Sequence, residues 1–111
     1  MAVDSDTERA VRAFLERISD RYPVIGARLY GSRARADHAL DSDADVAVLL
    51  KGPRGDPVAV GVETAGVAFD VLLDIEMWVS PMPIWEDDWR HPETFSNPRL
   101  LENIRRDGIE L

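Results

Sequence analysis

The chain has 111 residues, of which 45% are apolar and 31% charged, and its formal net charge is −8. These values predict a single globular domain over residues 1–111, large enough for a hydrophobic core but too short for a separate substrate-binding domain. No apolar run reaches the length of a membrane span or signal peptide, so we expect a cytoplasmic protein without a membrane partner. The acidic charge argues against direct nucleic-acid binding, and the absence of cysteine excludes disulfides and thiolate metal sites.

The first half of the chain predicts helices and two strands. Residues 5–22 have apolar side chains at helical spacing and begin with a Ser-x-x-Glu capping box. Residues 24–30 alternate as a strand, and a Gly-Ser pair ends it before residues 32–40, which predict two helical turns. Residues 45–50 predict the second strand.

The second half begins with a turn rich in Gly and Pro at residues 51–57. Residues 58–66 are ambiguous between helix and strand, with helix favoured, and the apolar run 67–73 predicts a buried strand. Residues 77–98 contain three tryptophans and four prolines, which predict an extended cover along one side of the sheet. A final helix at residues 98–107 has a capping Asn before it and a Gly after it. The expected fold is α/β (α+β), with a small mixed β-sheet flanked by helices.

The segment after the first strand has the features of an anion-binding turn. Gly31 lets the backbone approach a ligand closely, and Ser32 begins a helix whose first N–H groups can bind phosphate oxygens. Arg33 and Arg35 would add positive charge to this nucleotide-binding site. Alone, a Gly-Ser pair after a strand is more often only a turn.

Asp43 and Asp45 share one face of the second strand, with their Cα atoms about 6.6 Å apart, because side chains alternate along a strand. The two carboxylates would repel each other unless a hard cation lies between them, and Mg²⁺ prefers oxygen ligands and substrate phosphates. The alternative is a solvated strand entry, which this aspartate cluster alone supports equally well. Asp41 precedes the strand, and we assign it no catalytic role.

A third carboxylate would complete a site for two metal ions. Asp70 is the first candidate, because a charge inside the apolar run 67–73 is costly unless a positive partner compensates it. This role requires its strand to lie beside the Asp45 strand. Asp74 has the same parity and remains an alternative.

Two other phosphate or metal motifs are excluded. An EF-hand loop starting at Asp41 would have Val46 and Gly52 at its glycine and glutamate positions. A P-loop needs Gly-Lys-Ser or Gly-Lys-Thr, which the chain lacks.

These motifs together carry a family resemblance. Gly31-Ser32, ten intervening residues, Asp43-Ala44-Asp45 and an aspartate in a later apolar segment resemble the signature of the DNA polymerase β-like nucleotidyltransferase superfamily. The forms "GSRAR" and "DSDAD" are most similar to minimal nucleotidyltransferase (MNT) domain proteins. The resemblance covers residues 25–75, leaving 76–111 as the C-terminal cover and helix. Ala36 and Ala44 depart from residues common in the family, without removing a ligand.

The resemblance implies transfer of a nucleoside monophosphate, with AMP from ATP expected, to an acceptor hydroxyl. It implies that Asp43, Asp45 and Asp70 bind two Mg²⁺ ions and that Gly31 and Ser32 hold the triphosphate. It also implies a protein partner, a HEPN-type toxin that the chain would adenylylate or bind as its antitoxin. The alternative is a non-catalytic antitoxin that keeps the fold and neutralises its partner by contact.

The remaining distinctive residues have simpler interpretations. For at least two of Trp78, Trp85 and Trp89 we expect packing rather than base stacking. The acidic run 86–88 is expected to be a solvated loop rather than a docking site for a basic partner. The two histidines lack partners at metal-ligand spacing and are expected to be surface or structural residues.

Overall fold

The computed structural model of the protein describes residues 3–35 and 42–111. Its helices are α1 (Ser5–Ser19), α2 (Ser32–Arg35), α3 (Pro57–Ile75), α4 (Glu86–Arg90) and α5 (Pro98–Asp107), with a 3₁₀ turn at Pro92–Thr94. Its strands are β1 (Val24–Tyr30), β2 (Ala44–Leu50), β3 (Val79–Trp85) and β4 (Ile109–Glu110). None of the helices in the described part is both long and apolar enough to cross a membrane.

The strands form one mixed sheet in the order β3-β2-β1-β4. β1 is antiparallel to both β2 and β4, whereas β2 and β3 are parallel. The connection between these parallel strands is α3, as expected for parallel neighbours, which need a long crossover. The predicted α+β fold, a small mixed sheet with flanking helices, is confirmed.

Side-chain alternation along β2 divides the core between the two faces of the sheet. On one face, α1 and α3 cover β2 in the larger apolar cluster, which includes Phe14, Val46, Val48, Val67 and Val71. On the other face, α5 contributes to a smaller apolar cluster made of Ala47, Leu49, Ile84, Leu101 and Ile104. Asp45 has the parity of Ala47 and Leu49, so its side chain lies on the α5 face.

The predicted strand at residues 67–73 is wrong, because this segment is the second half of the 19-residue helix α3. Its buried residues recur at helical spacing, at Thr64, Val67, Ala68 and Val71. Large apolar residues also lie on the exposed side of α3, including Val62 and Leu73. Because the helix is apolar on both sides, its sequence shows a continuous apolar run like that of a buried strand.

The missing strand lies in the segment that was expected to be an irregular cover. Residues 79–85 form β3 at the edge of the sheet, although they include Pro81 and Pro83. Trp78 O accepts a hydrogen bond from Ala44 N at 2.9 Å, so the backbone polar groups of Trp78 point toward β2. Because these groups alternate between the two sides of a strand, the even-numbered residues of β3 point toward β2 and the odd-numbered residues point away from it. Both prolines therefore have their nitrogens on the outer side, where no ladder hydrogen bond is lost.

Helices α1, α2 and α5 lie where the sequence predicts them, apart from details at their ends. α1 is present, but Asp4 caps it by accepting a hydrogen bond from Thr7 N at 2.8 Å, so the predicted capping box is wrong. α5 is confirmed, with Asn97 as its N-cap and Gly108 after its end. Only the first turn of the predicted helix 32–40 falls within the described residues, where it forms α2.

Candidate functional site

The Gly-Ser turn lies directly after β1. Gly31 has a φ of 75°, in the left-handed region that favours glycine, and Ser32 begins the single helical turn α2. The carbonyl of Gly31 accepts a hydrogen bond from Arg35 N at 3.2 Å, which closes this turn. A sharp change of direction therefore places the start of α2 at the end of β1.

The two aspartates lie at the same end of the sheet as this turn. Asp45 pairs with Tyr30 across the β1–β2 ladder, one residue before Gly31, and the exposed Asp43 immediately precedes β2. A Cβ at position 31 would collide with the carboxylate of Asp45, since the Oδ2 atom occupies that space. The structure thus brings together Gly31, Ser32, Asp43 and Asp45, which are the central residues predicted from the sequence.

Burial and neighbouring charge both perturb the carboxylate of Asp45. Partial burial raises the pKa of Asp45, the negative charge of Asp43 raises it further, and the positive charge of Arg35 opposes both effects. Burial, followed by the charge of Asp45, raises the pKa of the neighbouring Tyr30 to about 12. Tyr30 is therefore a neutral hydroxyl at neutral pH. The two neighbouring aspartates give this end of the sheet negative charge, which a cation would neutralise.

A cleft of about 190 Å³ opens beside this end of the sheet. Tyr30, Gly31 and Arg35 line one side of it, and Asn103 and Asp107 of α5 line the other. Pockets for small molecules usually measure about 300–1,000 Å³, so this cleft can enclose only part of a nucleotide. A larger cavity of about 490 Å³ lies between α1 and the β1–β4 edge, away from both aspartates, and its lining is mostly apolar.

Arg33 does not join the phosphate site as predicted. Its side chain is only 4% exposed, and it donates hydrogen bonds to the carbonyl of Ser42 at 2.9 Å and to Oγ1 of Thr7 at 2.8 Å. Asp4 Oδ2 lies 3.8 Å from the same guanidinium. Arg33 therefore ties α2 to α1 and holds the backbone that leads into Asp43. Arg35, by contrast, is exposed and close enough to influence Asp45.

Asp70 does not lie beside Asp45. It is exposed on α3, which packs on the opposite face of the sheet from the two aspartates. Asp74 lies on the same helix and forms a 2.6 Å ion pair with Arg17. Asp70 therefore needs no compensating cation, because it lies on a helix rather than a buried strand and its side chain is exposed to solvent.

Ser80 occupies the place that we predicted for a third carboxylate, and the sequence interpretation missed it. In the parallel β2–β3 ladder, Ser80 is the register partner of Asp45. Within residues 3–35 and 42–111, no group of three His, Cys, Asp or Glu side chains could hold a metal ion. Asp41 and His38 lie outside the described residues. Alternation in "WVSPMPIW" would have indicated the strand, but its two prolines argued against it.

Among the described residues, the carboxylates of Asp43 and Asp45 form a donor set for one divalent cation, and no group of three ligands is present. Asp45 in β2 and Asp43 just before it are close enough for the charge of Asp43 to act on Asp45, and the missing side chain at Gly31 leaves room around Asp45 Oδ2. Mg²⁺ commonly binds through one or two carboxylates together with substrate phosphates and water. The described residues supply two such carboxylates.

The tryptophans pack within the structure. Trp85 is 8% exposed, and the guanidinium groups of Arg28 and Arg105 lie over the ring of Trp89, 5.6 Å and 4.2 Å from its centroid. Trp78 contacts Phe69 edge to face, with the ring centroids 6.4 Å apart. The predicted packing role is confirmed for Trp85 and Trp89.

The acidic run is not simply a solvated loop. Asp88 is only 4% exposed and accepts hydrogen bonds from Arg54 at 2.7 and 2.9 Å and from Thr94 Oγ1 at 2.8 Å. Glu86 accepts a hydrogen bond from Gly52 N at 3.1 Å. His91 is exposed, as expected, with its Nδ1 atom 3.5 Å from Glu93.

Comparison with known proteins identifies the family of the chain. The family model of the nucleotidyltransferase domain matches residues 11–111. A search of curated proteins gives no match. The chain is also similar to the crystal structure of a presumed nucleotidyltransferase from Sulfolobus solfataricus, with 15% sequence identity, a TM-score of 0.42 and coverage of 99% of this chain and 89% of that one.

Proposed function

Because the chain belongs to the nucleotidyltransferase domain family, we propose that it transfers AMP from ATP to a hydroxyl group of a partner protein in the presence of Mg²⁺. Transfer of a nucleoside monophosphate is the general activity that the family supports. The nucleotide, the metal ion and the acceptor are the specific parts of the proposal.

One observation carries the proposal. The pairing of Tyr30 with Asp45 brings the Gly31-Ser32 turn and the two aspartates to the same end of the sheet. The backbone at a strand-to-helix turn with a glycine suits the phosphates of a nucleotide, whereas neighbouring carboxylates suit a divalent cation. A metal–nucleotide complex presents both charges at once, so a single ligand would satisfy both halves of the site.

The residues then have distinct roles. Gly31 and Ser32 bind the β- and γ-phosphates, and Arg35 adds positive charge near them. Asp43 and Asp45 would hold the cation, which would supply positive charge to balance the phosphates. In the reaction, the acceptor oxygen forms a bond to the α-phosphorus while the bond to the β-phosphate oxygen breaks. Pyrophosphate leaves, and the acceptor hydroxyl gives its proton to solvent water.

The proposed acceptor is a HEPN-type toxin, for which this chain would serve as the antitoxin. Support for this part comes from the likeness of "GSRAR" and "DSDAD" to minimal nucleotidyltransferases. The small cleft is compatible with a protein acceptor, because it leaves most of a bound nucleotide outside the cleft and open to a second macromolecule.

The test uses ATP labelled at the α-phosphate, Mg²⁺ and a purified HEPN-type protein encoded beside this chain. We expect label on the partner with the wild-type chain and a loss of at least about 100-fold with Asp43→Ala, since removal of a charged group that binds the transition state costs several kcal/mol. Asp70→Ala is the matched control, because it removes an exposed carboxylate from the other face and should leave transfer unchanged. Failure of the wild-type chain to bind ATP or label any partner would refute the proposal.

A second function is favoured by Ser80. Because a hydroxyl stands where a third carboxylate was expected, the chain could neutralise its partner by contact, without nucleotide transfer. In that case, Asp43→Ala and Asp45→Ala variants would suppress toxicity as well as the wild-type chain does. Loss of suppression by both variants, with their folding and partner binding intact, would exclude this function.

A further inference from the structure

The position of Ser80 relative to Asp45 follows from the strand register. β2 and β3 are parallel, and Asp45 and Ser80 are direct partners in the ladder. Neighbouring strands are about 4.8 Å apart, and partner side chains in a ladder project from the same face. Ile84 shares the parity of Ser80 and packs in the same cluster as Ala47 and Leu49. Ser80 therefore lies beside Asp45 on the α5 face.

A side chain in this place could bind an ion shared with Asp45. A carboxylate there would add a charged ligand on the opposite side of Asp45 from Tyr30, which lies across the other ladder. A serine hydroxyl is neutral and is a much weaker ligand for a hard dication that favours charged oxygen ligands. Among the described residues, no third carboxylate is available as a protein ligand for a second ion.

In the part of the chain that the structure describes, the other carboxylates near this part of the fold do not replace it. Asp70 and Asp74 belong to α3 on the opposite face, and Asp74 is paired with Arg17. Asp107 lines the cleft, but it accepts hydrogen bonds from Arg106 at 3.0 and 3.1 Å, and that contact lowers its pKa.

We propose that the site binds one divalent ion per nucleotide, because Ser80 stands at the position from which a third ligand would hold a second ion. The proposal rests on the nucleotide site described above, but it does not depend on catalysis. It also identifies Ser80 as the position at which a single substitution, Ser80→Asp, would create a site for two ions.

The test counts bound Mn²⁺ by electron paramagnetic resonance, in the presence of a saturating, non-hydrolysable ATP analogue whose own binding is measured in parallel. We expect one Mn²⁺ per bound nucleotide for the wild-type chain and for Ser80→Ala, and two for Ser80→Asp. Asp45→Asn should lose the single ion that the protein and the nucleotide hold together, which shows that the counted ion lies at this site.

The outcomes separate this inference from the proposed function. Two ions per nucleotide in the wild-type chain would overturn the single-ion inference while leaving the nucleotide site intact. Absence of both nucleotide and Mn²⁺ binding would overturn both proposals. A folded Ser80→Asp variant that still binds one ion would refute the assignment of position 80. If that variant does not fold, the count in the wild-type chain still decides between one ion and two.

Discussion

Replacement of Gly31 by alanine separates the conformational role of this residue from its role at the site. The backbone there has a φ of 75°, and a Cβ would meet Oδ2 of Asp45. Gly52 provides a matched control, because its φ is 91° and a Cβ there would have no neighbour within 4 Å. Both Gly→Ala substitutions strain the backbone, but only the one at position 31 displaces a carboxylate.

The two variants share one loss of stability, from backbone strain, and the variant at position 31 has a second loss from the collision. Left-handed backbone costs a residue with a Cβ about 1–2 kcal/mol. An entropy of unfolding of about 2.1 cal/mol/K per residue gives about 0.23 kcal/mol/K for this chain, so Tm should fall by about 4–9 °C. At position 31, rotation of the Asp45 side chain can relieve the collision at an additional cost of about 0.5–1.5 kcal/mol.

The expected change in ligand binding differs sharply between them. Once rotated, the Asp45 carboxylate no longer faces the site, and loss of an interaction with a charged group costs about 1.5–3 kcal/mol. Gly31→Ala should therefore weaken binding of the Mn²⁺ complex of the ATP analogue by about 10- to 150-fold. Gly52→Ala should leave it unchanged. Calorimetric titration and thermal unfolding measure the two quantities independently.

Equally tight binding of the metal–nucleotide complex by Gly31→Ala and Gly52→Ala would refute the claim that a Cβ at position 31 displaces the Asp45 carboxylate from the site. Combining Gly31→Ala with Asp45→Ala gives a further check, because the double variant has no carboxylate to displace. It should therefore regain the part of the stability loss that comes from the collision, and a strictly additive loss would contradict the proposed contact.

Two further predictions concern stability alone. Leu101 is fully buried in the smaller cluster, whereas Leu73 is 64% exposed. In urea denaturation, Leu101→Ala should lower the free energy of unfolding by about 2–5 kcal/mol, and Leu73→Ala by less than about 0.5 kcal/mol. Equal losses would contradict the assignment of that core. Hydrogen bonds from Arg54 lower the pKa of Asp88 below its ordinary value of 3.8. The ionised carboxylate therefore stabilises the folded state at pH values above 3.8. This stabilisation is lost as the pH falls through the lowered pKa of the folded state. Arg54→Met should therefore lower Tm at pH 7, and the difference from wild type should shrink below about pH 4; a constant difference would refute this linkage.

The sequence predicted α1, β1, β2 and the proximity of Gly31 to Asp45 because the local signals there agree. Residues 24–30 alternate and end at Gly31, and the spacing to Asp43 and Asp45 matches a family signature. In the structure these residues meet through one ladder pair, Tyr30 with Asp45. Local pattern was sufficient because β1 and β2 are neighbours and antiparallel.

The second half was harder to predict because its local signals conflict with the tertiary structure. α3 has apolar residues on both its buried and its exposed sides, so periodicity did not distinguish it from a strand. β3 contains two prolines, which ordinarily argue against a strand, and only its edge position makes them acceptable. Because of these two errors, Asp70 was predicted to lie beside Asp45, and Ser80 was not predicted there.

The prolines of β3 also affect how the molecule associates with other chains. Residues 79, 81, 83 and 85 direct their backbone groups away from β2, and at Pro81 and Pro83 the nitrogen has no hydrogen to donate. A foreign strand approaching this border would find half of the expected donors missing. Growth of the sheet into an intermolecular ribbon, the first step toward cross-β aggregation, is therefore disfavoured on the side of the molecule nearest the acidic pair.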